Sequence, residues 1–496
     1  MFSGAVKLAP DALNDFIAPS QDCVVALDGG KLKLDDDGAV GASSEDAFST
    51  GEVALRRRKP REDDAMAVDA EPTSTFTPTM TQGDALKVSL SDCLACSGCV
   101  TSAESVLLEQ QSVDEFAQAC ARARSDGTSV VVASVSPQSL MSLSEAYGLG
   151  VEETRARLGG LLKAGFGAAR AFDTSFSRDI ALVETFAEFT EWMRDGARTP
   201  MLASACPGWV CYAEKTHGEL AVPHMATTKS PQQIMGRFVK SAVARELGVP
   251  AHNVYHVSVM PCYDKKLEAT RDDFESDGVK DVDVVLTTGE VALLLEKAGL
   301  CHLRDAPAND FDAFVSTNEQ APESVCAAPA VSGSGGYAEY VFRRAAAELF
   351  NAPITGEIDW VKMRNADMRE ATLTINGEAV LRVAVAYGFR NIQNLVRSIK
   401  LKKSKHHFVE IMACPSGCLN GGGQIPAREG TANKELIDRL DDTYRENARA
   451  RPMADVSTLY REWIGGNPGS SNAREALRTQ YHIRAKSVGV VQLNSW

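Results

Sequence analysis

The chemistry this chain could do lies in its cysteines. There are twelve: Cys23, Cys93, Cys96, Cys99, Cys120, Cys206, Cys211, Cys262, Cys301, Cys326, Cys414 and Cys418. Three fall in the loop Cys93-Leu94-Ala95-Cys96-Ser97-Gly98-Cys99. Thiolates two residues apart in a glycine-containing loop can grip three corners of one iron–sulfur cubane, which takes its fourth ligand from elsewhere. Cys23 is the candidate for that fourth position, because only Cys120 shares with it the stretch outside the loop and ahead of the first expected strand. Cys120 instead falls on the apolar face of a helix expected over residues 113–124, with Val113, Phe116 and Ala117, and reads as a small buried hydrophobe. Tetrahedral zinc also takes four thiolates, but no second Cys-x-x-Cys pair supports it.

A second set is dispersed. Cys206 stands in Ser204-Ala205-Cys206-Pro207-Gly208-Trp209, and Cys262 in Met260-Pro261-Cys262-Tyr263. Cys414 and Cys418 share Met412-Ala413-Cys414-Pro415-Ser416-Gly417-Cys418. Each segment follows an apolar run of strand length. In a parallel α/β sheet, ligands gather at the carboxyl ends of strands. Three unrelated segments therefore deliver Cys206, Cys262, Cys414 and Cys418 to one edge, a plausible second cluster site. Proline or glycine beside each lets the backbone turn and bring amides near sulfur. Cys211 stands where a helix could begin, and Cys301 and Cys326 at segment ends. All three read as packing residues. His406-His407, beside the basic run of residues 400–405, reads as surface rather than metal site.

The elements that must position these groups follow a β-α rhythm. Strands are expected over residues 129–135, 201–205, 254–260, 282–287, 381–386 and 408–412. Helical patterns between them include 231–247, 291–300, 337–350 and 390–399. Residues 433–480 read as helical segments broken by proline and glycine, ahead of a short strand at 487–493. Continuous apolar strands alternating with helices imply parallel sheets covered on both faces.

The chain has 496 residues, room for about three domains of ~150 residues. Hydrophobic residues are 44% and charged residues 24%, ordinary for a soluble globular protein. No apolar run approaches the ~20 residues of a membrane span, and the first residues lack the pattern of a signal peptide. A net charge of −14 argues against nucleic acid as a partner. In a reducing compartment, clustered cysteines are metal ligands or catalytic groups rather than disulfides. Residues of about 30–84, with Leu34-Asp35-Asp36-Asp37-Gly38 and a Ser/Thr/Pro-rich stretch, read as a disordered insert. The run Arg56-Arg57-Arg58-Lys59-Pro60-Arg61 inside it reads as a solvated charge run before it reads as a nuclear-import signal.

Taken together, these segments resemble the iron-only ([FeFe]) hydrogenase fold. More narrowly, the chain resembles the hydrogenase-like assembly factors of cytosolic iron–sulfur protein biogenesis, the Nar-type family also called cytosolic iron–sulfur assembly component 3. The resemblance rests on Met1-Phe2-Ser3-Gly4-Ala5-Val6, on residues 13–23 ending in Asp22-Cys23, and on Phe172-Asp173-Thr174-Ser175-Phe176. It rests also on Ser230-Pro231-Gln232-Gln233, on Met260-Pro261-Cys262, and on residues 410–424 around Cys414-Pro415-Ser416-Gly417-Cys418.

The resemblance implies a two-lobed, iron-only-hydrogenase-like α/β fold with parallel sheets flanked by helices. A small ferredoxin-like cluster region would precede it and a helical segment would follow. The implied divisions are 1–127, 128–250, 251–430 and 431–496. It also implies two [4Fe–4S] clusters, one on Cys23, Cys93, Cys96 and Cys99, the other deep between the lobes on Cys206, Cys262, Cys414 and Cys418. Hydrogenases bridge the last of these to a di-iron unit, hold a ligand of that unit where Lys265 stands, and place a proton-relaying cysteine where this chain has Ala205. Alanine has no proton to transfer. The family's role implies no enzymatic activity, early scaffold proteins and a late targeting complex as partners, a cytosolic location with possible nuclear access, and no membrane. The terminal Asn494-Ser495-Trp496 resembles a docking tail for that complex, although Asn494 replaces the usual aliphatic residue. The other readings are a functional hydrogenase and a nuclear prelamin-binding relative.

Overall fold

Two sheets, built from strands interleaved along the chain, form the frame. The computed structural model describes residues 108, 110–196, 199–313, 333–428, 431–450 and 456–484. Cys23, Cys93, Cys96, Cys99, Cys326, the insert, the expected strand at 487–493 and Trp496 lie outside the described residues.

The first sheet comprises β1 (Val130–Val135), β2 (Arg170–Asp173), β4 (Val254–Met260) and β5 (Val284–Thr287), in the order β2-β1-β4-β5 and wholly parallel. The second comprises β3 (Met201–Ala203), β6 (Val361–Lys362), β7 (Met368–Ile375), β8 (Glu378–Tyr387) and β9 (Phe408–Met412), in the order β3-β9-β8-β7-β6. The three neighbouring strands β3, β9 and β8 are parallel, as expected. β7 and β6, which complete the sheet beyond β8, are antiparallel, which the sequence reading missed. The cause is a two-residue turn at Asn376-Gly377. Both residues have positive φ, 53° and 83°, the geometry that matches the twist of a hairpin.

Sheet membership crosses the division expected at residue 250: β3 lies before it in the second sheet, and β4 after it in the first. Strand β2 was not anticipated. Nor was the 20-residue helix α4 (Ser175–Arg194), whose residues are buried nearly all round, so no apolar stripe betrays it.

Helix termini follow local chemistry. The first helix, α1 (Val113–Asp126), is capped by Ser112 and ends at Gly127, φ 64°. It buries Val113, Phe116, Ala119 and Cys120, so Ala119 takes the place expected for Ala117. Helix α2 (Pro137–Tyr147) starts on Ser136 and Pro137, and α3 spans Val151–Gly160. Helix α5 (Pro207–Ala221) has Cys206 at its N-cap position and Pro207 in its first turn. Helix α6 (Pro231–Phe238) is capped by Ser230 and runs on through residues 239–246. Helices α7 (Asp264–Ala269), α8 (Val291–Lys297), α9 (Tyr337–Glu348), α10 (Phe389–Lys400), α11 (Asn433–Ala450) and α12 (Ser471–Leu477) complete the frame. The central strands β4 and β9 are almost wholly buried, as strands covered on both faces must be.

Candidate iron–sulfur site

Each ligand candidate is held where a strand ends. β3 stops at Ala203 because the next residue turns out of the ladder: Ser204 Oγ donates to the Ile411 carbonyl at 2.5 Å and accepts the Cys206 amide at 3.0 Å. Cys206 then caps α5, where the helix dipole favours negative charge on sulfur. β9 is the hydrogen-bonded parallel neighbour of β3, so Cys414 emerges beside Cys206. The Ala413 amide points at Cys206 Sγ, 3.4 Å away.

Beyond Cys414 the chain makes a tight turn through Ser416 (φ 59°) and Gly417 (φ 81°). A side chain at Gly417 would strike the hydroxyl of Ser334. That hydroxyl accepts the Cys418 amide at 2.9 Å, fixing Cys418 back toward Cys414. Cys262 follows β4, the neighbour of β1 in the other sheet, and its loop leads directly into α7. The Gly423 amide donates to the Pro261 carbonyl at 2.9 Å. At Gly421 a Cβ would lie 2.3 Å from the same oxygen. Glycine at both positions lets the loop after Cys418 lie against the loop of Cys262.

The result is one small cavity walled by Cys206, Cys262, Cys414 and Cys418, with Ala205, Lys265 and Met412 beside them. The four expected cysteines of the second set thus converge from three segments and two sheets. Cys206 and Cys414 are each only 8% exposed. Burial pushes the Cys206 thiol up to about 12, and Cys418 and Asp264 add repulsion. Cys262 is raised well above the ordinary thiol range, first by burial, then by Asp264 and the other three cysteines. Cys418 is raised by burial and eased by the Ser334 hydroxyl and the Lys265 ammonium. The raised thiols of Cys206, Cys262 and Cys418 form a donor set that binding of a metal would deprotonate.

Four cysteine sulfurs on one cavity match the ligand count of a four-iron cluster, and the amide aimed at Cys206 matches the hydrogen bonding that tunes cluster sulfur. Lys265 is itself buried and paired with Glu268 Oε2 at 2.6 Å, and Ser230 Oγ donates to the same carboxylate.

The remaining cysteines divide. Cys120 is 2% exposed with its thiol raised to about 11 by burial, a packing residue as expected. Cys211 lies inside α5 rather than at its start, half-buried on the wall of a larger cavity. Cys301 is exposed, contrary to the packing role expected for it. His406 is half-buried against Glu370, with Nε2 2.8 Å from Oε2, and His407 Nδ1 accepts the Arg382 amide.

Sequence reasoning missed the supports. Glu188 accepts from the amides and hydroxyls of both Thr227 and Thr228, at 2.7–3.1 Å, and so fixes the segment leading to Lys229 and Ser230. Gln111 joins the start of α1 to α7 and β5, through the Lys266 carbonyl at 2.7 Å and the Val285 amide at 2.9 Å. Only Ser230 had carried a signal, in its Ser-Pro-Gln-Gln segment.

Sheets of this order, with four cysteines at their strand ends, define a protein of iron-only-hydrogenase type. Residues 129–422 match the family described as iron only hydrogenase large subunit, C-terminal domain. A solved [FeFe]-hydrogenase, HydA(deltaEFG), superposes with a TM-score of 0.64 at 26% identity, covering 75% of this chain and 98% of that one. Over nearly their whole length, two curated relatives are closer in sequence. The Xenopus tropicalis protein named cytosolic Fe-S cluster assembly factor narfl is 42% identical over 98% of this chain and 97% of its own. The Mus musculus cytosolic iron-sulfur assembly component 3 is 42% identical over the same shares. The chain belongs to this family of hydrogenase-like cytosolic iron–sulfur cluster assembly factors.

Proposed function

We propose that this chain holds two [4Fe–4S] clusters, on Cys23, Cys93, Cys96 and Cys99 and on Cys206, Cys262, Cys414 and Cys418. In this reading it links early scaffold proteins to the late targeting complex that matures cytosolic and nuclear iron–sulfur proteins. The observation that carries the reading is the convergence of the four dispersed cysteines on one cavity. A cubane bound there would supply a redox-active, rigid cross-link between the two sheets. The chain's own residues do the rest: Ala413 and Ser334 orient sulfur-bearing loops, and Lys265 supplies the nearby positive charge.

Hydrogen turnover is not part of the proposal. Proton delivery needs a titratable group at the reacting centre, and Ala205 offers none on the cavity wall. The relatives' names place the work in the cytosol, and Trp496 is the proposed contact to the targeting complex. Among the described residues, no helix is long and apolar enough to cross a membrane.

The test is maturation of a cytosolic iron–sulfur enzyme in cells depleted of this protein and supplied with variants. Cys23→Ala and Cys96→Ala abolish client activity while the purified chains keep native circular dichroism and melting temperature. A Cys96→Ala chain that fails to fold would reverse the roles of the two clusters. Hydrogen evolution by anaerobically isolated protein would restore the enzymatic reading.

A further inference from the structure

A second, larger cavity adjoins the cysteine cavity. It has a volume of about 370 Å³ and shares three wall residues with the inner one: Ala205, Cys206 and Pro207. Its floor includes Ser230 and Glu268, and Thr479, Tyr481 and His482 form a further wall. Its charged lining carries both signs, with Glu214, Glu268 and Asp273 against Lys215, Lys229 and Arg271. Most of these are already engaged: Arg271 reaches Glu214 at 2.8 Å and Asp273 at 3.0 Å, and Lys229 reaches Asp281 at 3.4 Å. Charges of both signs, mostly paired with one another, leave the lining without a strong bias against either a cation or an anion.

Among the described residues, the side of the inner cavity formed by the loop after Cys418 is closed by packed backbone. Gly421 and Gly423 lie against Pro261, Cys262 and Thr287 with no room for a Cβ. The side bounded by Ala205 is different, because alanine is the smallest side chain that keeps an ordinary backbone there. Ser204, pinned to Ile411 and Cys206, holds that residue in place. From this juxtaposition we infer that the outer cavity is the loading route for the deep cysteines: iron ions, ferrous and ferric in equal number, and sulfide enter past Ala205, on the wall that the two cavities share, and the four thiols give up their protons as they bind. The inference rests on the cluster reading above and adds the path by which the buried site is filled.

The experiment uses full-length, iron-free protein in a Cys93→Ser, Cys96→Ser, Cys99→Ser background, so that only the deep site loads. Ferrous and ferric iron in equal amounts are added anaerobically with sulfide, the oxidation level of a [4Fe–4S] cluster in its 2+ state, and cluster absorbance is followed with time. Ala205→Leu narrows the throat, and Cys211→Trp fills the outer cavity from its helical wall. Each slows loading by about tenfold, the change produced by ~1.4 kcal/mol on a barrier, while the final iron content is unchanged. Unchanged rates in both variants, with circular dichroism native, overturn the route.

Should the parent protein take up no iron, the cluster reading fails first, and a second readout decides the route. In iron-free protein, carbamidomethylation of Cys206 by iodoacetamide is timed by mass spectrometry against the exposed Cys301. The route predicts that both substitutions slow Cys206 labelling relative to Cys301. Equal ratios in all three proteins overturn it.

Discussion

Gly421 shows how one residue can decide whether a ligand is usable. An alanine there would put a methyl 2.3 Å from the Pro261 carbonyl, which no real contact allows, so the loop after Cys418 would lift away from Cys262. Overpacking of this kind costs about 1–3 kcal/mol. Gly421→Ala is therefore expected to lower the melting temperature of the iron-free chain modestly and to halve or abolish deep-site iron, measured as iron per chain. Glu188 is the comparable polar case. Glu188→Gln replaces one acceptor oxygen by a donor facing Thr227 or Thr228, and leaving a buried donor unpaired costs about 1–3 kcal/mol in urea unfolding. The ligand cysteines were legible in the sequence because proline, glycine and strand ends flank them. Glu188 and Gln111 were not, because nothing local marks a carboxylate or amide whose partners lie tens of residues away. Cys301 was misread for a related reason: its exposure depends on what packs over a helix end.

At the scale of elements, β4 carries both the Cys262 loop and a buried histidine. His256 Nδ1 lies 3.0 Å from the Asp281 carbonyl and must donate to it, so Nε2, 2.9 Å from Ser134 Oγ, accepts. Burial holds the imidazole neutral, with its pKa lowered to about 3. The unfolded chain binds this proton near pH 6.5 and the folded chain does not. Stability contributed by the neutral ring is therefore full above about 6.5 and is lost progressively as pH falls toward 3. The slope of unfolding free energy between pH 6.5 and 4 should flatten in His256→Phe relative to the parent chain; an identical slope would mean that His256 does not remain neutral. Element types with a single period were readable: β4 and β9 match their expected spans. α4 was not, because it is buried on nearly every side, and β7 was not, because only one of its residues is buried and its pattern is weak. The Asn376-Gly377 turn was the available signal for that hairpin.

Across the whole molecule, the interleaving of the sheets is what makes a deep site possible. Strand β3 is inserted beside β9, more than 200 residues later, and β1 lies beside β4. The chain must therefore complete both sheets before Cys206, Cys262, Cys414 and Cys418 can meet. Trp209, fully buried just after Cys206, anchors this crossing. Trp209→Ala is expected to cost about 3–5 kcal/mol and to lose the deep site with the fold. The general α/β class and the strand-end logic were visible in the alternation of apolar runs and helices. The division into sheets was not, since register between distant strands leaves no local trace.

Two cubane clusters with no other iron centre have a distinct signature in Mössbauer spectroscopy of iron-57-enriched protein isolated anaerobically from a host able to load it. The expected spectrum holds cubane iron alone, at about eight irons per chain, as two four-iron clusters require. A low-spin di-iron component, or zinc in place of iron, would contradict it.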